Sequence, residues 1–447
     1  MNLNNIHNVY LIGVGGIGMS ALARYFKVNG KNVAGYDRVA SPITKSLQDS
    51  GIDVHFEDSI NLIPKFFFNK EKTLIIYTPA IPDNHNELLF FKEKDYYVFK
   101  RAQILGLITA NSFCFAVAGT HGKTTTSCIL GHILHESGIN ATSFLGGIAE
   151  NYNSNFILGG DEVTVVEADE FDRSFLQLSP NIACITSTDA DHLDIYGKHE
   201  ALEDSFKEFA QKVTDQLVVY KELSIKGITY GIDNNADYNV ENLRIKNGIY
   251  LFDVITPDDK IKDIKLNLPG RHNVLNAAAA LAMAHIYGVS LRKIKAALQS
   301  FKGIQRRFTY KIKSENLVLI DDYAHHPTEI NAVVNSVREL YPNQKVLGIF
   351  QPHLYSRTRD FADDFALSLS KFDEIILLDI YAARELPIKG ISSEWLLSKI
   401  NNKSKKLVSK HDLLENILKS KSEIIVMIGA GDIGEMVENV KNELLKK

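Results

Sequence analysis

Residues 113–130 constrain this chain more than any other stretch. An unbroken apolar run, Phe113-Cys114-Phe115-Ala116-Val117-Ala118, enters the turn Gly119-Thr120-His121-Gly122-Lys123-Thr124-Thr125, and the helical pattern Ser127-Cys128-Ile129-Leu130 follows. A short continuous apolar run reads as a strand of a parallel sheet, buried on both faces. Parallel strands need crossover helices, so the stretch predicts an α/β fold. Strand, glycine turn, lysine, hydroxyls and helix occur in the order of an anion cradle. The turn's N–H groups and the helix N-terminus point at a phosphate, and the lysine reaches the terminal phosphates. The Thr124 hydroxyl is placed to hold a magnesium ion. The full phosphate-loop pattern wants a glycine where Val117 stands, so this is a shortened G-x-x-G-K-T loop.

At 447 residues the chain exceeds what one hydrophobic core supports. Three segments are expected: 1–108, 109–304 and 305–447. A formal charge of −4 gives no basic stripe for a nucleic-acid partner. The three cysteines, Cys114, Cys128 and Cys184, sit far apart in apolar stretches and read as reduced core residues of a cytoplasmic protein. The N-terminus has no basic region before its first apolar run. The longest helical apolar block, Ala277 to Ala284, is too short for membrane insertion.

The first segment opens with a second glycine turn. The strand Val9-Tyr10-Leu11-Ile12 enters Gly13, Gly15 and Gly18 in G-x-G-x-x-G spacing, with Gly16 and Ile17 between. A helix follows, then a strand ending at Asp37, about 20 residues on, where an acid can hold a ribose hydroxyl. This is a Rossmann-like pattern with a pyrophosphate site on the helix N-terminus; the alternative is glycines that simply let helix and strand pack. A strand at 74–77 ends in a loop rich in proline, Asn and Asp, on the ligand edge of such a sheet.

In the middle segment, "SFLGGIAENYNSNF" at 143–156 reads as a polar binding loop or a plain connector. "EVTVVEADEFD" is a strand ending in Glu167, Asp169, Glu170 and Asp172, carboxylates able to hold magnesium beside the phosphate loop. The next strand opens onto Asp189, Asp191, His192 and Asp194. Residues 217–268 alternate apolar and polar, with Asn247-Gly248 as a hairpin turn, and read as an added antiparallel patch. "LPGRHNVLNAAAALAMAHIYG" then starts an alanine-rich helix, where Asn273 is an N-cap or a base-reading amide.

The last segment begins "GIQRRFTY", whose Arg306 and Arg307 clamp phosphates or lie in solvent. Strands and helices alternate again to give a third, separately wound unit. Its strand ends carry "DDYAHHPTE" at 321–329, "QPHLYSRTRDF" at 351–361 and "DIYAARELP" at 379–387. Arg357 or Arg359 is suited to a small carboxylate. "GAGDIG" at 429–434 reads as a strand-to-helix turn.

Taken in order, "GVGGIGMSALA", "GTHGKTTT", "VEADEFD", "DADHLD", "GRHNVLNA", "GIQRRF", "DDYAHHPTE" and "QPHLYSRTRD" span nearly the whole chain and together resemble the Mur ligases. The resemblance implies an α/β protein of three domains: a Rossmann-like UDP-sugar domain, a central P-loop ATPase-like domain and a Rossmann-like C-terminal domain that binds the amino acid. It implies an ATP-dependent amide ligation in peptidoglycan synthesis, adding L-alanine to UDP-N-acetylmuramate. A recycling ligase that adds a whole peptide to the same sugar nucleotide is the runner-up, and a dehydrogenase or a slow ATPase switch are rivals outside the family. Gly15, Gly16, Ile17 and Gly18, near Asp37, would hold the UDP. Residues 119–125 would take the phosphates of ATP, with Asn273 on adenine and Arg306, Arg307 and Asp322 from the C-terminal domain. Magnesium would be held by Thr124, Glu167 and His192. Tyr323, His325, His353 and Arg357 match positions around the alanine, and Lys123, His325, His353 and Arg357 would be catalytic. Some relatives carry an arginine after "QPH"; here Leu354 stands there, which puts more weight on Arg357. Lys207 lies where some relatives carry a carbamylated lysine and is not assigned that role. A monomer or a homodimer is expected.

Overall fold

The computed structural model describes residues 3–189, 196, 199–383 and 385–446. Among these residues, three sheets follow one another along the chain. The first has the order β3-β2-β1-β4-β5, from strands Asn8–Ile12 (β1), Asn32–Tyr36 (β2), Asp53–His55 (β3), Thr73–Tyr77 (β4) and Tyr97–Lys100 (β5). All its pairings are parallel, and β1 lies at the centre, buried at every residue. The helix Ile17–Val28 follows β1. The helix Pro42–Asp49 is started by Ser41, whose side chain accepts from the Thr44 N–H while Thr44 reaches back to the Ser41 N–H.

The second sheet has the order β15-β14-β13-β12-β11-β10-β6-β9-β7-β8. Its strands are Phe113–Ala118 (β6), Ala141–Ala149 (β7), Ser154–Ile157 (β8), Val163–Glu167 (β9), Ile182–Ile185 (β10), Gln216–Tyr220 (β11), Ile228–Ile232 (β12), Tyr238–Lys246 (β13), Ile249–Ile255 (β14) and Lys260–Leu266 (β15). The apolar run at 113–118 lies between β9 and β10 in parallel register, as a doubly buried strand should. The antiparallel patch is narrower than the alternating sequence suggests. β11 and β12 continue the parallel sheet, as does the start of β13. Chain reversal comes at Asn247-Gly248, where both residues have positive φ and a two-residue turn folds β14 back beside β13. In β11 and β12 consecutive residues are buried, Val218-Val219 and Tyr230-Gly231, as in parallel strands covered on both faces.

The third sheet has the order β16-β17-β21-β18-β19-β20, from Thr309–Lys313 (β16), Val318–Asp322 (β17), Val346–Phe350 (β18), Glu374–Leu377 (β19), Lys405–Leu407 (β20) and Ile424–Ile428 (β21). Only the edge strand β16 pairs antiparallel. β21 is inserted between β17 and β18, so the strand order reverses there, the usual ligand edge of such a sheet. Contacts divide the chain into two compact units. One holds 1–242, 252–264 and 275–301; the other holds 243–251, 265–274 and 302–447. Cys114, Cys128 and Cys184 are buried and form no disulfide among the described residues. No helix among the described residues is long and apolar enough to cross a membrane.

Candidate functional site

In the first unit, β6 delivers its turn to the N-terminus of the helix Lys123–Glu136. Gly119 and Gly122 have φ of +131° and +83°, open to glycine at little cost. Space makes the same demand: a Cβ on Gly119 would stand 2.1 Å from Thr186 Oγ1, and one on Gly122 2.5 Å from Asn276 Oδ1. The end of β10 clasps the turn. The Thr120 N–H donates to Ser187 O at 3.1 Å, the His121 N–H to Ser187 Oγ at 2.8 Å, and Thr186 Oγ1 to His121 O. His121 Nε2 lies 3.5 Å from Asp189.

Three carboxylates at the end of β9 reach three different groups. Glu167 Oε1 accepts from Thr124 Oγ1 at 3.1 Å. Asp169 Oδ2 lies 3.3 Å from Arg101 Nη2. Glu170, fully buried, meets Lys123 Nζ at 2.8–2.9 Å, and the same ammonium donates to Gly119 O at 2.6 Å. Burial pushes the Lys123 ammonium down, but Glu170, Asp169 and Glu167 outweigh it and raise the pKa above its ordinary value, so the lysine stays charged. Thr124 and Glu167 converge as oxygen donors, the chemistry a magnesium ion prefers. The third expected ligand, His192, lies outside the described residues, as do Asp191 and Asp194. Lys207 is exposed and paired with Asp204 at 2.8 Å.

The glycine turn after β1 belongs to the same unit. The Gly15 N–H donates to Asp37 Oδ2 at 2.7 Å, so the acid that ends β2 braces the turn. Asn155 on β8 donates to Ile17 O at 2.5 Å and Ser20 Oγ at 2.9 Å, tying the helix that follows to the second sheet. The segment at 143–156 is therefore a hairpin with a structural tie. A cavity of about 260 Å³ has both Gly16, Ile17 and Gly18 and Arg101, Glu167 and Asp169 in its walls.

In the second unit, the ends of β17 and β18 gather another cluster. Arg306 and Arg307 place their guanidinium carbons 5.1 and 5.4 Å from the Tyr323 ring centre. Arg306 also donates to Asp321 and to Gly429 O, in the "GAGDIG" turn between β21 and the helix Ile433–Leu444. Arg307 lies 3.5 Å from Glu329, whose other oxygen accepts the His325 N–H at 2.9 Å. The His325 and His353 rings are 6.1 Å apart, and His353 stacks on Tyr381 at 5.7 Å. Arg357 is buried in the helix Tyr355–Asp360, preceded by Leu354 at φ +70°. Asp322 accepts from the Phe308 and Ala324 N–H groups, both at 2.7 Å, and burial pushes its carboxyl up to about 6 against the pull of Arg307. Asn273 is inside the first turn of the helix Arg271–Ile286 and is not its N-cap; its amide donates to Pro269 O at 2.6 Å. Half-buried His272 is pushed down to about 4 by desolvation and by Arg307.

Sequence reasoning missed Glu170 as the partner of Lys123, Asn276 and Thr186 as walls of the phosphate turn, and Arg101. The pattern "EADE" showed the acids but not which cation each one meets.

Family models match in three stretches: Mur ligase family, catalytic domain, over 8–113; Mur ligase middle domain over 117–284; and Mur ligase, glutamate ligase domain, over 306–432. The chain is 63% identical over 449 residues to the UDP-N-acetylmuramate–L-alanine ligase of Flavobacterium psychrophilum, covering 100% of each chain. It is 61% identical to the enzyme of that name from Flavobacterium johnsoniae, covering 99% of each. The crystal structure of the UDP-N-acetylmuramate-alanine ligase from Thermotoga maritima superposes with a TM-score of 0.83 at 28% identity, over 98% of this chain and 99% of that one.

Proposed function

The chain belongs to the Mur ligase family, and we propose that within it this chain joins L-alanine to the carboxylate of UDP-N-acetylmuramate, with conversion of ATP to ADP and phosphate. The reaction is a step in the synthesis of peptidoglycan precursors and runs in the cytoplasm. The three segments 1–108, 109–304 and 305–447 serve the sugar nucleotide, ATP and the amino acid in turn. The observation that carries this reading is a cavity whose walls include both the first glycine turn and Glu167, the partner of Thr124 in the phosphate loop.

A free carboxylate is a poor acylating agent. A muramoyl carboxylate oxygen attacks the γ-phosphorus of ATP, the bond to the bridging oxygen breaks, and ADP leaves behind an acyl phosphate. The alanine amine attacks the acyl carbon, and phosphate departs as the amide forms. The N–H groups of residues 119–125 hold the phosphates, and Lys123 spreads the charge of the transferring phosphoryl group. Thr124 and Glu167 are the described residues that would hold magnesium, which when bound supplies further neutralisation of phosphate charge. The turn at Gly15–Gly18 holds the diphosphate of the sugar nucleotide on a helix N-terminus. His325 or His353 accepts the proton of the amine, a task for a neutral imidazole near pH 7. Arg357 takes the alanine carboxylate, Arg306 and Arg307 take phosphate oxygens, Tyr323 lines the alanine position, and Asn273 reads adenine. Asp322 shapes the loop that presents Tyr323.

Phosphate release with UDP-N-acetylmuramate, ATP, magnesium and a panel of amino acids tests the proposal. L-alanine is expected to give the fastest release, together with a new amide product. Release that needs no amino acid, or that needs a peptide in its place, overturns it.

A further inference from the structure

Arg101 opens the helix Arg101–Thr109, directly after β5. Its guanidinium touches two things. Nη2 lies 3.3 Å from Asp169 Oδ2 at the end of β9. Nη1 lies so near the first glycine turn that a Cβ on Gly18 would stand 2.5 Å from it. Gly18 therefore makes room for a guanidinium, a role beyond helix–strand packing. Arg101, Gly18 and Asp169 are all walls of the cavity of about 260 Å³.

The placement is electrostatically one-sided. A cation beside the first turn of the helix Ile17–Val28 faces the positive end of a helix dipole, which repels it. Asp169 offsets that only in part, because the pair is partly solvated: the side chains are 23% and 36% exposed. An anion in the cavity turns the repulsion into joint attraction, since guanidinium and helix N-terminus would then share it. A guanidinium also matches phosphate in a way an ammonium does not, through a planar fork of donors.

We propose that Arg101 is a further substrate-binding residue, which contacts the diphosphate of the sugar nucleotide from the side opposite the backbone N–H groups of the glycine turn. This rests on the assignment of that turn to the sugar nucleotide. Asp169 is a positioning residue that aims the guanidinium.

The test uses the full-length protein and measures binding of UDP and of UDP-N-acetylmuramate by calorimetry, with thermal melting as a control for folding. UDP carries the diphosphate and lacks the muramoyl carboxylate. Arg101→Ala is expected to weaken both ligands by the same factor, about tenfold to a hundredfold for a lost charge-assisted contact, and to leave the KM for ATP unchanged. Arg101→Lys keeps the charge without the fork and should fall between the two. Gly18→Ala displaces the guanidinium without removing it and should also weaken UDP. Loss of affinity for UDP-N-acetylmuramate alone would move the contact to the carboxylate and overturn the proposal, as would unchanged UDP affinity in a folded Arg101→Ala. Asp169→Asn is expected to raise the KM for the sugar nucleotide with little change in kcat; an unchanged KM removes its positioning role. If the wild-type protein itself binds no UDP, the assignment of the turn fails first.

Discussion

The chain builds a strand, a glycine turn and a helix twice in its first unit, and the two versions are held in different ways. At Gly13–Gly18 the brace is an acid, Asp37, which takes the Gly15 N–H at 2.7 Å. At Gly119–Lys123 the brace is a network of hydroxyls from Thr186 and Ser187, and the acid Glu170 takes a side-chain ammonium instead. Both turns have the backbone geometry of an anion cradle; the groups around them decide what each can do. A turn with a half-buried, charge-matched lysine can follow charge as it moves to a transferring phosphoryl group. A turn braced through its own backbone can bind an anion without taking part in its chemistry.

The sharpest way to break that contrast is Lys123→Ala. It should lower phosphate release that depends on both sugar nucleotide and alanine by about 10³-fold or more, with UDP affinity unchanged. Normal turnover would make the two turns equivalent and remove the phosphate-loop role. Glu170→Gln comes next. The lysine loses its fixed partner, and kcat should fall about tenfold to a hundredfold, seen in single-turnover ADP formation, with the melting temperature also lowered because a largely buried ammonium loses the nearest of its counter-charges, Asp169 and Glu167 remaining. Asp37→Ala acts on the other turn. Its expected effect is a KM for the sugar nucleotide raised about tenfold, with the KM for ATP within twofold of wild type.

The smallest effect is on stability and sharpens the contrast between buried acids. Glu170 has a lysine; fully buried Glu87 accepts from Tyr10 at 2.8 Å and the Ser59 N–H at 3.2 Å, with Nε2 of His55, whose pKa is lowered by its own burial, 3.4 Å away. Burial raises the Glu87 carboxyl from 4.5 to about 7, despite those two bonds. A raised acid binds its proton more tightly in the folded state. Its contribution is therefore fully present below pH 4.5 and is lost as pH rises through about 7. Glu87→Gln should flatten that decline, a change on the order of 3 kcal/mol between pH 4.5 and 8, read from melting curves across pH. Parallel curves for the two proteins would show that Glu87 does not titrate in this window.

Much of this architecture is legible in the sequence because it is local. The apolar run at 113–118 and the glycine spacings after it fix a strand, a turn and a helix with no distant partner needed. Glu167 and Thr124 could be paired because each ends or follows a strand of one sheet. The misses depend on contacts made across the chain. Glu170 and Asp169 are neighbours in sequence, yet one reaches Lys123 and the other Arg101, a choice made by the twist of the chain after β9. Asn273 and Asn276 stand three apart on one helix, so spacing puts both on one face; the fold sets Asn276 against the phosphate turn and Asn273 on Pro269. Alternation at 217–232 gave neither burial nor strand direction: Val218-Val219 and Tyr230-Gly231 are buried as consecutive pairs, and the strands run parallel.

The tight ceiling over the phosphate turn has a consequence for how this site can change. A Cβ on Gly119 would stand 2.8 Å from the backbone N of Ser187, so it cannot be added without lifting a strand end; one on Gly122 would push the Asn276 side chain aside and strain a backbone held at φ +83°. Retuning the grip on nucleotide must then come from the periphery, at positions such as Ser187 and Asp189. A library diversified there should yield active variants with altered nucleotide preference, whereas one diversified at the two glycines should return almost only the parent.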